Sequence, residues 1–221
     1  MIRWQLLQIA DSAFPTGGFA HSGGLEAAMQ HGRARTAEDL DALVGEHLWN
    51  VGTASLPFVG AAFDAPDDVW GLDARIDATM SNHVANRASR TQGRTFLGTC
   101  ARIFDDARVG AMAARARARG GVAAHLAPVF GASLASLGAE RHEALALHLY
   151  LALRGVTSAA VRLGVVGPHE AQRLQRRHGA TLDAVLAECS ALAPDDAATT
   201  APLLDVMAAT HDRLYARLFQ S

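Results

Sequence analysis

Apolar residues recur along this chain at helical intervals, and polar or glycine-rich breaks divide the pattern into segments. Thr36 followed by Asp39 reads as an N-cap with an acidic first turn. Beyond it Leu40, Leu43, Val44, His47, Leu48 and Val51 fall on one helix face. A break is expected around Pro57 and a looser loop over Ala65-Pro66-Asp67-Asp68. Leu72 to Asn86 carries a weaker helical pattern. From Asn86 to Ala118 small and polar residues alternate in helix-like fashion, with Gly93, Gly98 and Gly110 as candidate breaks or close-packing points. Gly120-Gly121 reads as a stop, and Pro128 as the opening or interruption of a helix ending near Gly138.

The second half is more apolar. Between Glu140 and Arg154, Leu145, Leu147, Leu149, Leu151 and Leu153 leave little polar face, which predicts a central core helix. Their alternation also fits a strand, but the surrounding Ala, Glu and Arg favour a helix. Pro168 suits a first helical turn, with Gly179 closing that helix and another running from Thr181 to Leu192. Pro202 opens the last segment, where Leu203, Val206, Met207, Thr210, Leu214 and Leu218 are expected on one face. With no hairpin pattern, internal repeat or low-complexity linker, the chain predicts an all-α fold. We expect a single globular domain over residues 1–221, of about eight to ten packed helices.

Composition narrows the chemistry. Half of the residues are hydrophobic, enough for a sizeable core, and the net charge of −2 leaves no footprint for nucleic acid or an anionic membrane. Arg115, Arg117 and Arg119 stand two apart and splay on a helix, as at a solvated helix end. All 20 Lys+Arg residues are arginine, which excludes a Walker A lysine, a Schiff-base lysine and a kinase-type phosphate lysine. Cys100 and Cys189 stand apart, so a disulfide framework is not expected and a reducing, cytoplasmic setting fits. The start of the chain lacks the pattern of a signal peptide, and no stretch approaches the ~18 consecutive apolar residues of a membrane span.

Enzyme motifs fail on spacing. His142-Glu143 is followed six residues on by His148, which places the two rings about 240° apart around a helix. A helical zinc site needs them on one face. Glu140, Glu143, Glu170 and Glu188 lack the Glu-x-x-His of di-iron bundles. The stretch from Leu6 to Glu26 concentrates Pro15, Gly17, Gly18, Phe19, His21, Ser22, Gly23 and Gly24 between two apolar stretches. It matches neither a phosphate loop nor, with Ala20 at the first glycine position, a nucleophile elbow around Ser22. It reads either as a shaped connector or as a loop that presents Phe19, His21 and Ser22 to a partner.

Three ordered blocks resemble the urease accessory proteins of the UreF type. The first is Pro15-x-Gly17-Gly18-Phe19-x-x-Ser22-x-Gly24-Leu25-Glu26. The second is Val156-Thr157-Ser158-Ala159-Ala160-Val161-Arg162-Leu163, continuing to Val166-Gly167-Pro168 and Gln172. The third is His211-x-x-x-Tyr215-x-Arg217-Leu218-Phe219-x-Ser221, and Arg90-x-Gln92-Gly93-Arg94 adds a weaker match. His21 stands where many bacterial members carry Tyr, Gly23 where they carry Gln, and Gly155-Val156-Thr157 lacks their Asn-Gln. The Phe-Ala-His-Ser and Gly-Pro forms look more like the plant-type branch.

The resemblance implies an all-helical, dimeric scaffold without catalysis or a cofactor of its own. It implies binding to a UreD/UreH-type accessory protein and a UreG-type GTPase, and docking on apo-urease for GTP-dependent nickel delivery. Pro15, Gly17, Gly18, Phe19, His21, Ser22, Glu26, Arg94, Ser158, Arg162, Gln172, His211, Tyr215, Arg217, Leu218 and Phe219 would then be the partner-binding positions. Ser158-Ala159-Ala160 also reads as a close helix-packing site. Tyr215, Leu218 and Phe219 beside Arg217 carry the composition of a docking tail. The alternative is a nickel-binding or metal-dependent α-helical protein that uses its ten histidines.

Overall fold

Thr36 does what its position in the sequence implies. Its hydroxyl accepts the Asp39 N–H at 3.1 Å while the Asp39 carboxylate accepts the Thr36 N–H at 3.0 Å, and this reciprocal cap starts a helix over Ala37–Ala54. A computed structural model describes residues 3–118 and 121–221, and among these there are twelve α-helices, four short 3-10 turns and no strand. In chain order the helices are α1 (Trp4–Ala10), α2 (Leu25–Gln30), α3 (Ala37–Ala54), α4 (Leu56–Asp64), α5 (Val69–Thr79) and α6 (His83–Ile103). They continue as α7 (Ala107–Arg117), α8 (Leu126–Ser136), α9 (Arg141–Arg162), α10 (Pro168–Arg177), α11 (Gly179–Cys189) and α12 (Pro202–Ala209). The all-α expectation holds, with a count slightly above the expected eight to ten.

Two buried clusters organise these helices. The first gathers Phe58, Phe96, Phe130, Leu145 and Leu149 from α4, α6, α8 and the first half of α9. The second gathers Leu25, Leu40, Leu48, Leu153 and Leu204 from α2, α3, the second half of α9 and α12. Helix α9 runs through both, so its nearly continuous apolar surface is matched by partners on several sides. By length and composition α9 could cross a membrane, yet ten of its residues are buried against the rest of the fold. The α4–α8 pair packs tightly because Gly131 lies on the α4 backbone: a Cβ there would collide with the Val59 carbonyl oxygen.

Several boundaries differ from the sequence pattern. The stretch from Leu72 to Asn86 is broken at Asn82, whose Oδ1 accepts the N–H groups of Val84 and Ala85 at 3.0 and 3.2 Å and so starts α6. Gly93 does not break α6; it allows the 124–126 segment to lie against the helix. The break comes instead before Asp106, whose carboxylate accepts the Val109 N–H at 2.9 Å. Gly120 and Arg119 lie outside the described residues, and α7 has already ended at Arg117. Gly179 opens α11 rather than closing α10.

The final segment departs most. Helix α12 stops at Ala209, and Leu203 and Val206 are 65% and 63% exposed. The residues turned inward are Leu204 and Ala208, which rest on Gly24. Beyond Thr210 the chain abandons helical spacing because its backbone pairs with a distant loop.

Candidate functional site

The distant loop is the glycine-rich opening segment. Its course depends on backbone conformations that side chains disfavour: φ is +77° at Gly17, +64° at Gly23 and +88° at Gly24. Gly17 packs against Thr95 of α6, and the Pro15 carbonyl accepts the Thr99 hydroxyl at 2.8 Å. Gly18–Ala20 forms a single 3-10 turn that leaves Phe19 71% exposed.

The end of the chain lies alongside this loop. The Ser22 N–H donates to the Ser221 carbonyl at 2.7 Å, and the Gln220 N–H donates to the Ala20 carbonyl at 2.8 Å. The Ser22 hydroxyl also donates to the Ser221 carbonyl at 3.0 Å, while His21 Nδ1 and Ser221 Oγ lie 2.6 Å apart. These bonds turn His21 and Ser22 inward, so the loop does not present them as expected. Burial, helped by the positive charges of Arg87 and His211, pushes the His21 imidazole below its ordinary pKa and favours its neutral form.

Glu26 secures the pairing. It lies in the first turn of α2, 3% exposed, and accepts three hydrogen bonds. His211 Nε2 approaches at 2.9 Å, and the N–H groups of Leu218 and Phe219 donate at 2.6 and 3.2 Å. Arg162, at the end of α9, closes the other side. Its guanidinium lies 3.6 Å from the Phe19 ring centroid and 4.2 Å from that of Phe219, and it donates to the Phe19 carbonyl. A buried acid and a stacked arginine thus join the opening loop, α9 and the terminal segment into one surface. Phe19, Tyr215, Arg217 and Leu218 face outward on it, with Tyr215 fully exposed. Phe219 is buried at 5%, against the expectation that it stands outside with Tyr215 and Leu218.

The sequence-derived set therefore divides. Pro15, Gly17, Gly18, Phe19, His21, Ser22, Glu26, Arg162, His211, Leu218 and Phe219 form or adjoin this clasp, and Tyr215 and Arg217 lie on its outer turn. Ser158, half-buried on α9, lines a cleft of about 450 Å³ beside it, together with Phe14, Met80, Phe130, His148 and Leu204. Burial pushes His148 and His47, which also lines the cleft, down to about 4. Arg94 and Gln172 are not part of the clasp. Arg94 is exposed on α6 and donates to the Val122 carbonyl at 3.2 Å, and Gln172 is exposed on α10.

Five residues absent from the sequence-derived set support the clasp. Arg87 pairs bidentately with Asp212 at 2.8 and 3.1 Å, with His83 at 3.3 Å and Arg217 at 3.5 Å from the same carboxylate. Arg87 first, and His83 after it, hold the Asp212 carboxyl below its usual range. Asn82, the cap of α6, also donates to the Asp205 carbonyl and carboxylate at 2.9 and 2.8 Å, which ties α6 to α12. None of these residues stood out in the sequence: Asn82 lies inside a stretch read as continuous weak helix, and the pairing of Arg87 with Asp212 spans 125 residues.

A separate polar centre orders the start of α8. Asp73 accepts the N–H groups of Ala124 and His125 at 2.9 and 2.7 Å, and His125 Nε2 lies 3.0 Å from Asp77. Arg90, then Asn86 and His125, keep Asp77 well below the ordinary carboxylate range. Every member is engaged with another, as in a structural network. Among the described residues, no group of three or more His, Cys, Asp or Glu side chains converges as metal ligands would.

The model of the UreF family matches residues 34–179, which hold most of both cores and Arg162 but neither the opening loop nor the terminal segment. Whole-chain similarity covers those parts. The chain is 37% identical over 231 residues to urease accessory protein F of Arabidopsis thaliana, spanning all of this chain and 93% of that protein. It is 34% identical over 224 residues to urease accessory protein F of Oryza sativa subsp. indica, covering 98% and 84%. Urease accessory protein UreF of an Arthrobacter species is 32% identical over 222 residues, covering 98% and 96%.

Proposed function

The chain belongs to the UreF family of urease accessory proteins, and on that premise we propose that it acts as a non-catalytic adaptor in urease maturation. In this reading it binds a UreD/UreH-type accessory protein and a UreG-type GTPase as a cytoplasmic homodimer. The assembly docks on apo-urease and delivers nickel, its cargo, in a GTP-dependent step. Because the chain contains no lysine, the phosphate-binding lysine of a nucleotide site belongs to the GTPase rather than to this protein.

The observation that carries the reading is the clasp. Three blocks far apart in sequence converge on one surface, held by Glu26 and Arg162, and that surface exposes Phe19, Tyr215, Leu218 and Arg217. Two aromatics and an arginine around a leucine are the composition of an interface anchor. Beneath them Glu26, Ser22 and the terminal backbone are hydrogen-bonded to one another, with only His21 Nε2 and His211 Nδ1 there left without a partner among the described residues, so the clasp offers a preformed surface rather than a loose tail.

The test is co-expression with the urease structural and accessory genes. Phe19→Ala together with Tyr215→Ala should lower co-purification of the GTPase and the other accessory protein. Urease activity at limiting nickel should fall with it, while the variant keeps its helical content. Fully active urease in a strain lacking this gene, at low nickel, would sink the adaptor reading.

A further inference from the structure

We infer that the groove between α6 and α7 is a second docking site, for an acidic segment of a protein partner. The inference does not rest on the adaptor reading. Arg94, Gly98 and Arg102 stand four residues apart on α6, which aligns them on one stripe about 12 Å long. Helix α7 adds Ala113, Ala116 and Arg117 from the facing side, and the space between has a volume of about 290 Å³. Gly98 leaves open space at the middle of the stripe: a Cβ there would meet nothing within 4 Å.

Its charge is uncompensated. Among the described residues no carboxylate lies within ion-pair distance of Arg94, Arg102 or Arg117, and none lines the groove. Elsewhere on the molecule Arg87 and Arg141 each hold a carboxylate. The hydrogen bond that Arg94 donates to the Val122 carbonyl leaves the guanidinium charge in place. The net charge of the chain is −2, so this positive strip is local and not a general property of the surface.

The free donors select the ligand chemistry. Thr95 gives its hydroxyl proton to the Thr91 carbonyl at 2.9 Å, and Thr99 gives its proton to Pro15. The guanidinium N–H groups are left as the groove's donors, and their planar fork matches carboxylates. Among the described residues no aromatic side chain lines the groove, so they supply no stacking platform of the kind a single-stranded nucleic acid site uses. A lone phosphate would engage one end of the stripe. Carboxylates repeated along an extended peptide engage all three arginines. Position adds to this: Thr95 packs on Gly17 and Thr99 holds Pro15, so the groove adjoins the opening loop of the clasp.

The test uses a fluorescein-labelled dodecapeptide of alternating Glu and Gly, its Gln counterpart, a dT12 oligonucleotide and inorganic tetrapolyphosphate. Fluorescence anisotropy reports the labelled peptides and oligonucleotide directly, and polyphosphate by competition. The full chain should bind the Glu peptide and not the Gln peptide, with affinity falling several-fold between low and high salt. Arg94→Gln with Arg102→Gln and Arg117→Gln should weaken binding about tenfold, since each exposed pair contributes modestly. The corresponding triple Lys variant should retain most of the affinity, which separates lost charge from lost fold. Glu26→Ala, which opens the clasp, should leave peptide binding unchanged, so failure here is distinct from failure of the adaptor reading. Equal binding by the triple Gln variant, no binding of the Glu peptide, or tighter binding of dT12 or polyphosphate than of the peptide would each overturn the proposal.

Discussion

Replacing Glu26 with Ala removes the acceptor for His211 and for the N–H groups of Leu218 and Phe219 at once. A buried donor left without a partner costs about 1–3 kcal/mol. Leu218 is 53% exposed, so water can reach its backbone, but Phe219 and His211 are 5% and 1% exposed. Two orphaned groups therefore put the penalty at about 2–6 kcal/mol. The chain can avoid most of that by releasing residues 214–221, because none of the twelve helices includes them. The penalty then appears as local opening rather than global unfolding. At tenfold per 1.4 kcal/mol, amide exchange at Leu218 and Phe219 should accelerate about 30-fold to at most about 20,000-fold. Hydrogen exchange with mass spectrometry on the terminal peptide measures this, and exchange in α8 and α9 serves as the internal control. Glu26→Gln keeps one acceptor oxygen and should fall between parent and Ala variant. Unchanged protection of Phe219 in Glu26→Ala, with the fold intact, would refute the view that this carboxylate holds the segment.

Three further outcomes follow from the packing and the titrating groups. Gly131→Ala places a Cβ on the Val59 carbonyl oxygen, a backbone atom that cannot rotate away, and should cost about 3 kcal/mol or more in urea denaturation. His148 titrates at about 4 when folded, against about 6.5 unfolded, because burial penalises its charged form. Its contribution is therefore complete above about pH 6.5 and is lost as pH falls toward 4, about 3 kcal/mol over that window. Urea midpoints at pH 7, 5.5 and 4.5 should fall in that order, and His148→Leu should flatten the trend. Burial pushes the Cys100 thiol up to about 12 and raises that of Cys189. Neither should react with a thiol reagent in the native protein at pH 8, and both should react in guanidinium chloride.

The helices that could be read from sequence are those with local determinants. Thr36 and Asp39 cap α3 through atoms three residues apart, Pro168 sits in the first turn of α10, and the leucines of α9 signal a surface buried on several sides. The misplaced boundaries lay where a distant contact decides. Gly93 reads as a break in isolation but lies inside α6 because the 124–126 backbone needs the space. Leu203 and Val206 follow helical spacing yet face solvent, since α12 meets the rest of the fold through Leu204 and Ala208 on Gly24. The site divided in the same way. The three motif blocks could be located, but which of their residues face outward could not. His21, Ser22 and Phe219 resemble presented groups in the sequence and are buried in the structure.

Sequence by itself determined the helical class, the Thr36–Asp39 cap, the exclusion of lysine-dependent chemistry and the blocks that mark the family. Each depends on residue identity or on neighbours within about a turn of helix, where spacing and chemistry suffice. Tertiary structure alone decided that these blocks become one surface. In the sequence Glu26 is only an acid in a first turn. Its three partners lie 185 to 193 residues away, and Arg162 meets Phe19 across 143 residues. Buried polar groups must find partners wherever the packed helices place them, and periodicity carries no record of that choice.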